Sequence, residues 1–309
     1  MKMDSENINN QIALLRDFFH KEVMSDYVYL DVPDHRNIGD WLIAMGAWQL
    51  LRELPYKCLF RASIAGFNYD WEFIPSNAII LCHGGGNFGD LYPGAVWFRN
   101  EVVRHCPNNK IIFLPQTITY KNLKNIDETI TICASHPNLV ICARDKASYE
   151  ILQRFSNKTV LLPDTAWGLY NYLANKRKAI SAEKYLVMQR KDEERTNEEI
   201  ILDVDADVKD WADFLEDLHF PIVNFPYKVM RYFAKRRFKT IWKRCDKYLS
   251  GVVYPYVLHG VVREFLQYKK IYSTRLHGYI LASMLHIDCE WKDTKYGKIS
   301  NYVNTWINE

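Results

Sequence analysis

Along the first half of the chain, short apolar runs alternate with longer segments in which apolar residues recur every three to four positions. The runs at 27–32, 78–82, 110–114, 139–143 and 159–162 predict strands, several of them apolar on both faces. The segment 40–54 sets Leu42, Met45, Trp48 and Leu51 at helical spacing, and Asp40 at its start is the expected N-cap. A further helix is expected over 145–155. Strands alternating with helices imply a parallel, doubly wound sheet, which holds ligands in the loops beyond the carboxyl ends of its strands. The pattern shifts near Asn171. A second series follows, with strands at 185–188, 221–225 and 270–273 and helices at 211–218, 256–267 and 278–285. The simplest α/β arrangement is two Rossmann-like domains, 1–175 and 176–309, with a cleft between them.

Composition narrows the class. The 309 residues are 48% hydrophobic and 14% aromatic, enough to build a core and to exclude a disordered chain. A formal net charge of +3 means that any attraction to nucleic acid or membrane must come from a local patch. The seven cysteines include no Cys-x-x-Cys pair, and several sit inside apolar runs, so buried free thiols in a reducing compartment are expected. The polar residues 1–10 do not read as a signal peptide, and no run reaches the ~18 apolar residues of a membrane span. The cytoplasm is the expected location.

Two tracts are strongly charged. Residues 191–210 carry nine acids against three bases and read as a solvated connection without chemistry. Residues 228–247 carry nine bases against Asp246. On a helical wheel over 228–249, Met230, Phe233, Ala234, Phe238, Ile241, Trp242 and Cys245 gather on one face and most of the bases on the other. Such a helix either packs its apolar face on its own domain or lies in an anionic membrane interface, where each base adds about 1 kcal/mol; nucleic acid is the weakest of the three partners.

Four local signals could carry chemistry. Cys-His-Gly-Gly-Gly-Asn (82–87) follows an apolar strand, and the amides of Gly84, Gly85 and Gly86 could meet an anion or a sugar oxygen, or the glycines could serve only a tight turn. The run matches neither the dinucleotide fingerprint nor a Walker loop. Thr-Arg-Leu-His-Gly (274–278) joins a strand to a helix. Arg275 offers a fork of donors for carboxylate or phosphate, and His277 can move a proton near neutral pH; the alternative is a bridging arginine and a helix-capping histidine. Arg144, directly after a strand, and Lys298, in a turn near the end, are two further cations, each with an equally ordinary structural role open to it.

In combination these signals are more specific. Asn-Ile-Gly-Asp (37–40), His-Gly-Gly-Gly-Asn (83–87), Ala-Arg-Asp-x-x-Ser (143–148), Leu-Pro-Asp-Thr-Ala (162–166), Gln-Arg (189–190), Thr-Arg-Leu-His-Gly (274–278) and Tyr-Gly-Lys (296–298) appear in that order. The series resembles the polysaccharide pyruvyl transferase family from about residue 27 to 306. One departure is in the loop Asp164-Thr165-Ala166, where many relatives have proline after the aspartate. The resemblance implies a GT-B-like fold, phosphoenolpyruvate as donor, and a product in which a pyruvyl ketal bridges two hydroxyls of one sugar. It assigns His277, Arg275 and Arg144 to catalysis, with His277 as general acid. It assigns Arg275, Leu276, Lys298, Arg144 and the Gly84–Gly86 amides to the donor. Asn37, Gly39, Asp40 and Asn87 fall on the acceptor side, and neither a metal nor a cofactor is implied. The acceptor would be a sugar, with a lipid-linked oligosaccharide at an anionic membrane surface as one form open to it.

Two other classes fit the same architecture. A glycosyltransferase using a nucleotide sugar would need an acid to clamp the ribose, and none is evident near a glycine loop in the second half. A non-catalytic, membrane-associated scaffold of glycan assembly would leave His277 and Arg275 dispensable.

Overall fold

The computed structural model describes residues 4–67, 70–122, 126–177, 183–195, 200, 202–234 and 239–307. Its strands are β1 (Tyr27–Leu30), β2 (Cys58–Ala62), β3 (Ile79–Cys82), β4 (Gly85–Phe88), β5 (Ile111–Ile118), β6 (Leu139–Ala143), β7 (Lys158–Leu161), β8 (Lys184–Met188), β9 (Ala206–Lys209), β10 (Tyr268–Ser273) and β11 (Asp288–Trp291). The helices are α1 (Ser5–Glu22), α2 (Ile38–Leu51), α3 (Ile64–Phe67), α4 (Pro93–His105), α5 (Ile126–Ala134), α6 (Lys146–Leu152), α7 (Trp211–Asp217), α8 (Phe220–Val223), α9 (Phe225–Ala234), α10 (Lys239–Tyr248), α11 (Tyr254–Phe265), α12 (Leu276–Met284) and α13 (Lys298–Trp306).

Strands β1 to β7 form one sheet in the order β2-β1-β3-β5-β6-β7, with β4 added beside β5, and β8 to β11 form a second in the order β11-β10-β8-β9. Every pairing is parallel. In both sheets the chain reverses its direction of growth beside the first strand, at β1/β3 and at β8/β10. Parallel sheets bind ligands beyond the carboxyl ends of the strands at such a switch point. The register makes both ends flush. Leu30 pairs with Cys82 and the His83 amide donates to the Leu30 carbonyl, so Asp31 and His83 emerge side by side. Ser273 pairs with Met188, and the Arg190 amide donates to Thr274 Oγ1, which brings Arg190 and Arg275 together.

Helix α2 is apolar nearly all round, as a helix covered on every side must be. It packs towards α11, where Trp41 stacks on Tyr254 with ring centroids 4.9 Å apart. One core runs through residues of both sheets' helices. The last helix returns to the first sheet: the Trp306 indole donates to the Arg144 carbonyl and the Lys146 amide donates to Thr305. That return sets Lys298, the first residue of α13, beside the glycine loop.

Several expectations need correction. The N-cap of α2 is Asn37, not Asp40; the Asn37 side chain accepts from the Gly39 amide and donates to Asp40 Oδ2, so the helix begins three residues earlier. The segment 221–225 is helical rather than a strand. His219 takes a left-handed conformation and Pro221 sits in the first turn, where its missing N–H costs nothing. The basic segment 228–249 is two helices, α9 and α10; Lys235, Arg236, Arg237 and Phe238 lie outside the described residues. All seven cysteines are free, and Cys58 is exposed where the others are buried. Among the described residues, no helix is long and apolar enough to cross a membrane.

Candidate active site

The two switch points face one pocket of about 590 Å³. The first sheet's loops bring Asp31, His35, Asn37, Asp40, Gly86, Asn87 and Arg144 to its wall, and the second sheet's bring Arg190, Asp192, Glu194, Arg275, Leu276 and His277. Lys298 completes it from the start of α13. Nine of the sequence-derived candidates therefore share one surface. Gly39, Gly84 and Gly85 do not line it but shape it. A side chain at Gly84 would run into the Pro115 carbonyl at 2.5 Å, and Gly85 has a φ of +108°, so these two serve the close turn between β3 and β4. A Cβ on Gly39 would stand 2.7 Å from His277 Nδ1, so this glycine gives the imidazole its place.

His277 is held from its other side by Asp164, whose Oδ2 lies 3.2 Å from Nε2. The same oxygen accepts from Arg144 Nη1 at 2.9 Å, and Oδ1 accepts from the Ala166 amide. Burial alone would raise this carboxyl, but His277, Arg144 and that amide together hold it well below the usual carboxylate range. Arg144 is aimed in turn by Thr117, which accepts from Nε and donates to Asp145. Asp164 thus joins Arg144 and His277 from behind the pocket wall.

Gly86 marks where positive charge converges. A Cβ there would lie 3.2 Å from Lys298 Nζ and 3.3 Å from Arg144 Nη2. Burial pushes the Lys298 ammonium below the usual lysine range, Glu194 pulls it back, and Arg190 and Arg144 add to the fall. Three helices, α2, α12 and α13, also start at this pocket, and their N-terminal amides add partial positive charge.

None of these cations stands alone. Arg275 donates to both oxygens of Asp210, at 2.8 and 2.6 Å, and pairs with Asp192 at 2.8 Å. Lys298 pairs with Glu194 at 2.8 Å, and Glu194 also accepts from Arg190 at 2.9 Å and from the Tyr92 hydroxyl at 3.0 Å. The acidic tract 191–210 is thus no inert connection. Glu194 and Asp210 turn inward because buried guanidinium and ammonium groups need carboxylate partners, and Asp192, though exposed, reaches Arg190 and Arg275. They also remove one sequence argument against a nucleotide-sugar enzyme, since acids do stand at the second switch point. Residues 196–199 and 201 of that tract lie outside the described residues.

Next to Gly39, Asp40 Oδ2 lies 2.6 Å from His35 Nε2. Burial works against a charge on this imidazole, but Asp40 and the nearby Asp31 and Asp34 raise it above its ordinary value. Asp31, in a left-handed conformation, is pushed up to about 6 by burial despite Arg99 at 2.9 Å. Sequence reasoning passed over His35, Asp31, Arg99, Asp164 and Glu194 as site residues. Asp164 and Arg190 lay within noted motifs; His35 and Glu194 had no local signature, since only the fold brings them to the wall.

The polysaccharide pyruvyl transferase model matches residues 37–289, and the chain belongs to that family and is a transferase. It is 31% identical to "Putative pyruvyl transferase EpsO" of Bacillus subtilis, over 99% of this chain and 93% of the relative. It is 27% identical to Pyruvyl transferase 1 of Schizosaccharomyces pombe, over 89% and 68% of the two chains. A solved structure of an uncharacterized protein from Klebsiella pneumoniae aligns with TM-score 0.61 at 16% identity, over 96% of this chain and 94% of that one; the likeness is one of fold.

Proposed function

We propose that this enzyme takes the pyruvyl group from phosphoenolpyruvate and places it as a ketal across two hydroxyls of one sugar in a growing glycan. The observation that carries the reading is the convergence of Arg144, Lys298 and the Gly86 backbone next to His277. A donor with a phosphate and a carboxylate needs several fixed cations within a few ångströms of a proton source.

In this reading His277, protonated and held by Asp164, gives its proton to the methylene carbon of the enol. Positive charge develops at the neighbouring carbon, and one sugar hydroxyl adds there. The C–O bond to phosphate breaks, and the second hydroxyl closes the ketal. Of the two hydroxyl protons, one restores His277 and the other leaves with phosphate. Arg144, Arg275 and Lys298 bind the donor with Leu276 against it, and no cofactor beyond the donor is invoked. Because each cation starts with a carboxylate partner, donor oxygens exchange places with Glu194 or Asp192 rather than entering a bare positive site. Asn37, Asp40 and Asn87 face the acceptor, with His35 held against Asp40 beside them.

The same reading takes the two sheets as the cores of two Rossmann-like domains in a GT-B-like arrangement. Strands of the first sheet end at Leu161 and those of the second begin at Lys184, which supports a boundary near 175. It places the enzyme in the cytoplasm, where free thiols persist, at the inner face of the membrane that carries the lipid-linked acceptor.

The test is incubation with phosphoenolpyruvate and a panel of lipid-linked galactose, glucose and mannosamine acceptors, followed by mass spectrometry. A pyruvyl gain matched by phosphate release, lost in His277→Ala and Arg275→Ala, is expected. Stabilisation by UDP or GDP but not by phosphoenolpyruvate would instead favour a nucleotide-sugar enzyme, and glycan synthesis indifferent to both variants would favour a scaffold.

A further inference from the structure

The apolar face expected of the basic segment is turned inward only in part, since Phe233, one of its members, is exposed. Met230 and Ile241 pack on the core and Cys245 is buried. Tyr227 is buried too, its hydroxyl donating to Asp34, and Arg231 pairs with the same carboxylate. Of the remaining residues on that face, Phe238 and the side chains of Ala234 and Trp242 lie outside the described structure.

What α8 and α9 present outward is an apolar row that shares Phe233 with the expected face. Ile222 is 73% exposed, Phe225 64%, Val229 41% and Phe233 44%. Their spacing of three, four and four residues sets them along one side of a near-continuous helical run. Tyr232 widens the row, its ring edge-on to Phe233 at 5.5 Å. A helix of an isolated globular protein keeps such a row inside and its bases outside; here the row and the bases are outside together. Lys228, Lys243, Arg244 and Lys247 are exposed in α9 and α10. Asp246, the one acid between 228 and 247, is engaged by Arg61 at 2.9 Å.

We propose that this row enters the headgroup–acyl boundary of an anionic lipid bilayer while the surrounding bases meet lipid phosphates. The chemistry favours lipid over a second copy of the chain: a two-fold contact through this face would set the bases of one copy against those of the other. The placement deepens the membrane-side reading above and rests on it for the acceptor only. The inner face of α9 is tied through Asp34 to the loop that carries His35 into the pocket. A bilayer under the outer face thus lies one helix away from the acceptor side of the site.

The test is co-sedimentation of the full chain with vesicles of phosphatidylcholine and phosphatidylserine in equal parts, and with phosphatidylcholine alone, without substrates. The chain is expected to bind the anionic vesicles, less at high salt, and the neutral ones weakly. Phe225→Ser with Phe233→Ser should lower the partition by about tenfold or more, and Lys243→Glu with Lys247→Glu should abolish the preference for phosphatidylserine. Both variants should melt like the parent, because the replaced side chains are exposed. The proposal is overturned if the parent does not bind anionic vesicles, or if binding survives both variants. It is also overturned if the parent is a dimer that the Phe225→Ser, Phe233→Ser variant separates while lipid binding is absent. None of these outcomes bears on pyruvyl transfer, which is measured separately on soluble acceptors.

Discussion

Nε2 of His277 and Oδ2 of Asp164 lie 3.2 Å apart, and the carboxylate is buried. An ionised neighbour in this position stabilises the imidazolium and fixes which ring nitrogen carries the shared proton. Asp164 is a positioning residue: it touches His277 and Arg144, not the substrate. Asp164→Asn keeps the shape and removes the charge that orients His277 and Arg144. The expected outcome is a fall in kcat of about 10²-fold or more with a smaller change in KM for the donor. A variant with a lowered melting temperature but an unchanged kcat would assign Asp164 a purely structural role.

Gly39 offers a test of position without a change of charge. An alanine Cβ there would come within 2.7 Å of Nδ1, and the ring would have to swing away. Displacement of a catalytic group by about 1 Å can cost ~10²-fold in rate. Gly39→Ala is expected to lose kcat on that scale with near-normal donor affinity, because Arg144 and Lys298 stand elsewhere on the wall. Equal loss in kcat and in donor binding would mean that the first turn of α2 itself had moved.

The parts of this architecture written in local pattern were legible in the chain. Apolar runs such as Ile79–Cys82 and Leu139–Ala143 can only be buried strands, and the motifs at 83–87 and 274–278 sit where parallel strands end. What was not legible depends on packing or on long-range partners. Pro-Ile-Val-Asn-Phe at 221–225 has β-branched residues and reads as a strand, yet His219 and Pro221 start a helix there. The acids at 192, 194 and 210 look like any solvated tract until Arg190, Arg275 and Lys298 are brought against them. Lys298 was singled out by its motif, but only the return of α13 to the first sheet explains why it reaches Gly86.

Glu194 links Lys298, Arg190 and Tyr92, so its charge supports both the fold and the site's electrostatics. Glu194→Gln leaves the buried Lys298 without its carboxylate and Arg190 with Asp192 alone, and breaking such a buried pair typically costs about 3 kcal/mol or more. The vacancy is one that a bound anion can fill. Phosphoenolpyruvate should therefore raise the melting temperature of the variant by more than it raises the parent's. A ligand shift that is smaller in the variant would show that the donor does not approach Lys298.

His83 supplies the last prediction, on stability and pH. The ring is buried, its Nδ1 lies 2.8 Å from the Tyr29 hydroxyl, and burial lowers its pKa to about 3. In the unfolded chain the same group titrates near its ordinary value of about 6.5. Between these two values the unfolded state binds a proton that the folded state refuses. Stability is therefore unaffected by this group above about pH 6.5 and falls as pH drops, by up to about 1.4 kcal/mol per pH unit. Asp164 and Asp40, both held below the usual carboxylate range, add their own loss only further down, below about pH 4. Urea unfolding at pH 5 and pH 7 separates the two. In His83→Gln, which keeps a polar partner for Tyr29 but cannot titrate, the difference between the two pH values should shrink by about 2 kcal/mol. An unchanged difference would mean that His83 accepts its proton inside the fold.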